Sequence, residues 1–245
     1  MGYNIELRTI VIAEIGRNHY GNMDLAREMI YEAKMAGADI IKTQVYDTDK
    51  FKLNKQLRED FKASEFTEDT LREFKECCDC VRVEFMASVF DSERVEWVER
   101  LGMKRYKIAS RSVSDKSLIN KICSTNKDMI VSLGMWNKIE MPKIRTKGNI
   151  YYLYCVSDYP TKIEDIIMPC FENSKYVGFS DHTVGTDAML VAVARGAKII
   201  EKHFTTDRNL KGYDNKFSIE PEELADAIEK IRAIERVISV NGVRK

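Results

Sequence analysis

Short runs of β-branched and apolar residues alternate along the chain with stretches whose apolar positions recur at three- and four-residue spacing, which predicts strands alternating with amphipathic helices. The first unit reads TIVIAEI from Thr9 to Ile15, then a break through Gly16 to Gly21, then a helix from about Asp24 to Met35. Asp24 can cap or favourably charge that helix start, and Leu25, Met29, Ala33 and Ala36 give it an apolar stripe. ADIIKTQVY from Ala38 follows as a buried strand whose polar residues gather at its end. This is βαβ spacing.

The unit recurs. Strands are predicted for VEFMAS from Val83, RYKIAS from Arg105, DMIVSL from Asp128, NIYYLYCVS from Asn149, KYVGFS from Lys175 and AKIIEKHF from Ala197. Helices are predicted over Asp91 to Leu101, Asp115 to Ser124, Lys162 to Phe171, Thr186 to Arg195 and Pro221 to Val240. AGADIIK at Ala36, LGMKRYK at Leu101 and RGAKIIE at Arg195 each run from a helix end through glycine into a strand, a weak internal repeat. Eight strands with intervening helices favour a closed α/β barrel, the (β/α)8 TIM fold, over a doubly wound sheet, because closure removes the exposed edges. Two places break the pattern. Asp47 to Phe66 is a long, charge-rich connection, partly helical and a candidate lid, and Gly134 to Gly148, with Pro142 inside it, leaves space for only a turn or two where the fifth helix belongs. That shortened face could be thin or covered by a partner subunit, so a homodimer is one expectation.

Composition narrows the class. The 245 residues balance 39 Lys and Arg against 39 Asp and Glu, so no global charge favours nucleic acid or acidic lipid, and residues 1–245 are expected to form one domain. No apolar run approaches a membrane span, and MGYNIELRT lacks a signal-like segment, which makes the cytoplasm the expected compartment. The six cysteines accordingly read as free thiols, with Cys155 in the core and no zinc-site spacing around Cys77, Cys78 and Cys80.

In such a barrel the catalytic side chains come from the C-terminal strand ends. Those ends carry Glu14, Lys42, Gln44, Ser88, Lys107, Ser110, Ser132, Ser157, Asp158, Ser180, Asp181, His182, Glu201, Lys202 and His203. All three histidines, His19, His182 and His203, fall at predicted mouth positions. His182 and His203 follow neighbouring strands and could share a divalent metal; the alternative is loop bracing and packing against Phe204. Asp214 is either a third ligand or a turn residue. Lys42 and Lys107 lie in apolar strands, where an unpaired ammonium is costly. With Ser110, Ser132 and the Gly134 backbone they could cradle a phosphate or carboxylate. Pairing with Glu14 or Glu201 would equally account for them, as would a Schiff-base lysine.

At this point IAEIGRNHYGNMDLA at Ile12, AGADIIKTQ at Ala36, YKIAS at Tyr106, IVSLGM at Ile130, CVSDYP at Cys155, VGFSDHTVG at Val177 and GAKIIEKHFTTDRNLKGYDNKFSIEP at Gly196 resemble the catalytic barrel of the sialic acid synthase family. The resemblance implies condensation of phosphoenolpyruvate with an open-chain sugar aldehyde to a 3-deoxy-2-ulosonic acid, aided by manganese or by magnesium, cobalt or zinc. It implies a phosphoenolpyruvate site at Lys42, Lys107, Ser110, Ser132, Gly134 and Ser180, and a metal pair at His182 and His203. Glu14, Gln44, Tyr159 and Asp214 become acceptor-side or proton-handling groups.

The chain departs from the family pattern in three places. Ser110, Arg111 and Ser112 stand where the family usually has Ser-Gly-Glu, and Ser157 replaces an asparagine of the sixth-strand motif. The C-terminal antifreeze-like domain, which in relatives supplies an arginine across a dimer, has no counterpart in these residues. An atypical acceptor is therefore expected: Arg111 would either receive an anionic acceptor or pair with Asp115. A metal-dependent 2-oxo acid aldolase or lyase, and a sugar- or partner-binding homologue without turnover, are the competing functions.

Overall fold

The computed structural model describes residues 8–243. Eight parallel strands close into a barrel in chain order: β1 Ile10–Gly16, β2 Ile40–Val45, β3 Glu84–Val89, β4 Arg105–Ile108, β5 Asp128–Ser132, β6 Ile150–Cys155, β7 Tyr176–Asp181 and β8 Ile199–His203. The (β/α)8 expectation is met, and every strand falls where the apolar runs place it.

Because side chains alternate along a strand, each strand sends one set inward and one outward. Ile10, Ile12, Ile40, Met86, Ile130, Leu153 and Ile199 fill the lower barrel interior as one buried cluster. The outward residues, among them Val11, Ala13, Ile41, Phe85, Val131, Phe179 and Ile200, join the larger core beneath the helices. Two residues further along each strand from the lower interior layer, the inward positions turn polar. That switch converts a packed barrel into a site at its C-terminal mouth.

The helices are α1 Met23–Met35, α2 Lys55–Ala63, α3 Glu68–Cys80, α4 Ser92–Arg100, α5 Lys116–Cys123, α6 Asp187–Ala194 and α7 Pro221–Val243. Asn22, not Asp24, caps α1, its side chain accepting from the Asp24 and Leu25 amides, while Asp24 sits in the first turn. Helix α3 lies outside the expected elements, although Thr67 and Thr70 form a capping box and Leu71, Phe74 and Cys78 make a buried stripe. The cysteines of the 77–80 cluster belong to this helix, and the cysteines of the chain are free.

The connections on one side of the barrel are thin. The eight-residue α5 precedes β5, and between β5 and β6 the chain makes only turns and extended segments, with Trp136 Nε1 donating to Glu140 O. The helix expected over Lys162–Phe171 is absent: short 3-10 turns occupy Ile163–Asp165 and Phe171–Asn173. Pro169 explains this, since it cannot donate to a helix and pushes the residue before it toward extended backbone. Between β2 and α3 the lid-like connection contains a 3-10 turn at Thr48–Lys50 and then α2. No helix of the described residues is long and apolar enough to cross a membrane.

Candidate active site at the barrel mouth

The polar inward layer surrounds a cavity of about 50 Å3. Glu14, Lys42, Gln44, Lys107, Ser110, Ser132, Tyr159, Ser180, His182 and His203, all anticipated, line it together. Ser88, Ala109, Cys155 and Glu201 complete the wall. A larger cavity of about 600 Å3 lies beside α5 and the β5–β6 connection, between Ile119, Trp136 and Met141. The smaller one is the candidate active site, because it gathers buried acids, bases and cations together with serines and a cysteine from the ends of the eight strands.

The centre is a buried ionic chain. Lys42 Nζ lies 2.7 Å from Glu14 Oε2 and 4.0 Å from Glu201 Oε2, and it donates to Ser88 Oγ at 3.1 Å. Lys107 Nζ is 3.3 Å from Glu201 Oε1, which also accepts from Ser180 Oγ at 3.1 Å. Each lysine thus has a carboxylate partner, the pairing that the sequence left open, and Glu201, read from the sequence as a strand-end residue and a candidate lysine partner but given no role in binding or catalysis, is the carboxylate that both lysines face. Burial raises the pKa of Glu14 more than Lys42 lowers it. Burial acts the same way on Glu201, but Lys107 and Lys42 outweigh it and hold that carboxyl at about 2. Lys107 is pushed down by burial, with Glu201 opposing the shift. Glu14 is therefore the easier carboxylate to protonate, and Glu201 the fixed counter-charge.

Local backbone features aim these groups. Gly16 ends β1 at a φ of +54°, next to a shift in the β1–β2 register, and a side chain there would press on Glu14 Oε1 at 3.2 Å. Gln44 Nε2 fixes the same oxygen by donating at 2.9 Å. Gly134 does not line the cavity. Its amide donates to Ser110 Oγ at 3.0 Å, and a Cβ would come within 2.4 Å of Ser157 Oγ, so glycine lets the β5 and β6 ends close together. Ser157 is not among the residues that line the cavity, although its Oγ lies 3.9 Å from Cys155 Sγ. Ser132 Oγ is buried without a hydrogen-bond partner among the described residues.

His182 and His203 approach with ring centroids 5.7 Å apart, and Tyr159 covers His182 at 4.1 Å. His182 Nδ1 donates to Val156 O at 2.8 Å, which fixes the ring and leaves Nε2 for another partner. His203 Nδ1 is buried with no hydrogen-bond partner among the described residues. Burial lowers the His203 pKa to about 3, so the ring is neutral. Cys155, expected in the core, is buried beside the pair: its Sγ is 3.7 Å from His182 Nδ1 and accepts from Ser110 Oγ. Its signal is present in the sequence, since it lies two residues beyond inward-facing Leu153.

The remaining anticipated residues lie outside this cavity. Asp214, in a 3-10 turn at Asp214–Phe217, receives Arg17 Nη2 at 3.1 Å on both carboxylate oxygens. Arg111 is exposed above the β4 end, its guanidinium over Phe51 with 4.2 Å to the ring centroid. Asp115 does not pair with it but caps α5 through the Leu118 amide. His19 is buried beside Phe66, the two rings tilted at 33° with centroids 4.5 Å apart, and its Nδ1 accepts from the Gly21 amide.

A closed (β/α)8 barrel with acid, base and cationic groups converging at the strand ends defines a TIM-barrel enzyme site. The chain belongs to the NeuB family, whose model matches residues 29–242. It is 32% identical to the N,N'-diacetyllegionaminic acid synthase of Campylobacter jejuni over 97% of this chain and 79% of that one. It is 31% identical to the human N-acetylneuraminate-9-phosphate synthase, over 93% and 70%. The N-acetylneuraminic acid synthetase of Leptospira borgpetersenii, crystallised with citrate, superposes with a TM-score of 0.87 at 31% identity, over 94% of this chain and 85% of that one.

Proposed function

We propose that the protein condenses phosphoenolpyruvate with an open-chain sugar aldehyde to give a 3-deoxy-2-ulosonic, sialic acid-like product and inorganic phosphate. The observation that carries this reading is one cavity lined by two buried lysines, the raised carboxyl of Glu14 and the His182–His203 pair. Membership in the NeuB family supports the reaction class.

Lys42 and Lys107 would bind the anionic ends of phosphoenolpyruvate, sharing their charge between ligand and the carboxylates that now hold them. Ser132 Oγ, without a protein partner, has a hydrogen bond to give, and Ser110 and Ser180 stand on the same wall. This fixes the enol carbon toward the aldehyde, an arrangement that replaces a bimolecular search with a positioned encounter.

The orphaned His203 Nδ1 and the free Nε2 of His182 suit a divalent cation such as manganese, and a ring separation of 5.7 Å allows both imidazoles to reach one ion. No group of three or more His, Cys, Asp or Glu side chains able to hold a metal exists among the described residues, so water or substrate would complete the shell. When bound there, the cation supplies Lewis-acid polarisation of the aldehyde.

The methylene carbon of phosphoenolpyruvate attacks the aldehyde carbon, forming the new C–C bond as the aldehyde oxygen takes up a proton. Water adds to the former enol carbon and gives up a proton; the resulting hydroxyl then collapses to the ketone, losing its proton as the carbon–oxygen bond to phosphate breaks and inorganic phosphate leaves. Glu14 is the group to move these protons, since burial favours its protonated form and Gln44 orients it. Asp214, already engaged by Arg17, positions rather than transfers. A phosphate-release screen with phosphoenolpyruvate and a panel of aldoses, each with manganese and with chelator, tests the proposal. Metal-dependent release with some aldehyde is expected, and none with any would overturn it.

A further inference from the structure

The geometry points to Arg111 as the receptor for an anionic group, phosphate or carboxylate, on the end of the acceptor sugar remote from its aldehyde. This rests on the condensation reading above and names its acceptor class. The 3-10 turn Ser110–Ser112 puts Ser110 in the cavity wall and Arg111 one residue further out, at the rim. There the guanidinium lies over Phe51 at 4.2 Å and Phe90 at 5.9 Å from the ring centroids. Phe51 comes from the lid and Phe90 from just after β3, so two elements hold one cation.

A second guanidinium shares the shelf. Arg17 lies over Phe61 at 4.1 Å, and the Phe51 and Phe61 centroids are 5.5 Å apart. Arg17 is neutralised by Asp214, whereas Arg111 has no carboxylate within ion-pair distance and no hydrogen bond among the described residues. Partial desolvation against the aromatic shelf and the neighbouring Arg17 both push the Arg111 pKa down, yet a guanidinium stays charged at neutral pH. Two cations over one carboxylate leave a positive charge uncompensated at the mouth. Stacking occupies the face of the Arg111 plane and leaves its N–H edge to meet an anion in the forked geometry that lysine cannot offer. Phosphoenolpyruvate has its own cations deeper in the barrel, at Lys42 and Lys107, so the rim charge is left for the other substrate.

The test compares matched neutral, 6-phosphorylated and 6-carboxylate aldoses, including N-acetylmannosamine and its 6-phosphate, in the phosphate-release assay. Wild type should favour an anionic member over its neutral counterpart by at least tenfold in kcat/KM, and the phosphate and carboxylate arms identify which anion. Arg111→Ala should raise KM for that acceptor roughly 10- to 100-fold, the range expected for one lost charged hydrogen-bonding contact. The KM of phosphoenolpyruvate should move less than twofold. Direct binding of the corresponding alditol phosphates and aldonate-type acids, by calorimetry in the presence of phosphoenolpyruvate, separates this inference from the reaction itself. Anion binding lost in Arg111→Ala supports the rim site even without turnover. Equal use of neutral and anionic sugars, anion binding that survives Arg111→Ala, or no anion binding at all would overturn it.

Discussion

Asp181 and Lys202 face each other as register partners across β7 and β8, with Nζ 2.9 Å from Oδ2, and each is followed in the chain by a histidine of the candidate site. Both are buried, on the side of the sheet opposite His182 and His203. Lys202 Nζ also donates to Thr183 O, and Asp181 Oδ1 accepts from the Thr183 amide and hydroxyl. The chain immediately after His182 is thereby tied to the strand that carries His203. This ion pair sets the spacing of the two imidazoles from behind.

Lys202→Met should therefore do two things. It strands the Asp181 carboxylate without its cation, a loss of about 3 to 5 kcal/mol for a broken buried pair. It should also weaken manganese binding, because His182 is no longer anchored against β8. The double variant Asp181→Asn/Lys202→Met should recover much of the stability in urea denaturation but little of the metal affinity. Full recovery of both would mean that the pair serves folding alone.

Chelation should abolish turnover, and His182→Ala and His203→Ala should each reduce manganese and zinc affinity at least tenfold. His203 Nδ1 has no hydrogen-bond partner among the described residues, and the hydrogen bond of His182 Nδ1 to Val156 O leaves Nε2 to serve as a ligand. Calorimetry on the folded variants decides the matter, and unchanged affinity in both would remove the metal assignment.

The strands and the inward register are legible because period two is a local property: Ile12 to Glu14, Ile40 to Lys42 and Ile199 to Glu201 can be read by counting. The pairings are not. Glu201 meets Lys107 across 94 residues and Arg17 meets Asp214 across 197, distances that only barrel closure bridges. Helix α3 has its own signal in Thr67, Thr70 and the Leu71, Phe74, Cys78 spacing, but the long charged stretch before it has the look of a loop and masks the helix start. Over Lys162–Phe171 the opposite holds, with apolar spacing suggesting a helix that Pro169 vetoes.

Acid should destabilise the fold through His19. Burial lowers its pKa from 6.5 to about 4, so below about pH 6.5 the unfolded chain takes up a proton that the folded chain refuses. The contribution is intact above that value and is lost as the pH falls toward 4, about 3 kcal/mol in all. His19→Asn can still accept from the Gly21 amide and cannot titrate. Urea midpoints from pH 7 to 4, taken with chelator, should fall less steeply for the variant, and parallel profiles would exonerate His19.

Lys42 and Lys107 should bind the three-carbon anion without forming a covalent bond to it. A Schiff base needs one neutral amine, and burial does depress Lys107, which makes the alternative concrete. Against it stand the carboxylates: Glu14 holds Lys42 in an ion pair at 2.7 Å, and Glu201, 3.3 Å from Lys107, opposes the effect of burial there by favouring the ammonium. Borohydride reduction in the presence of pyruvate, followed by intact mass measurement, should show no adduct. Lys107→Met should raise KM for phosphoenolpyruvate by tenfold or more, and Lys107→Arg should recover part of that loss, because a cation suffices to bind an anion while an amine nucleophile has no such substitute. A reduced adduct that disappears in Lys107→Met would instead assign the barrel to Schiff-base aldolase chemistry.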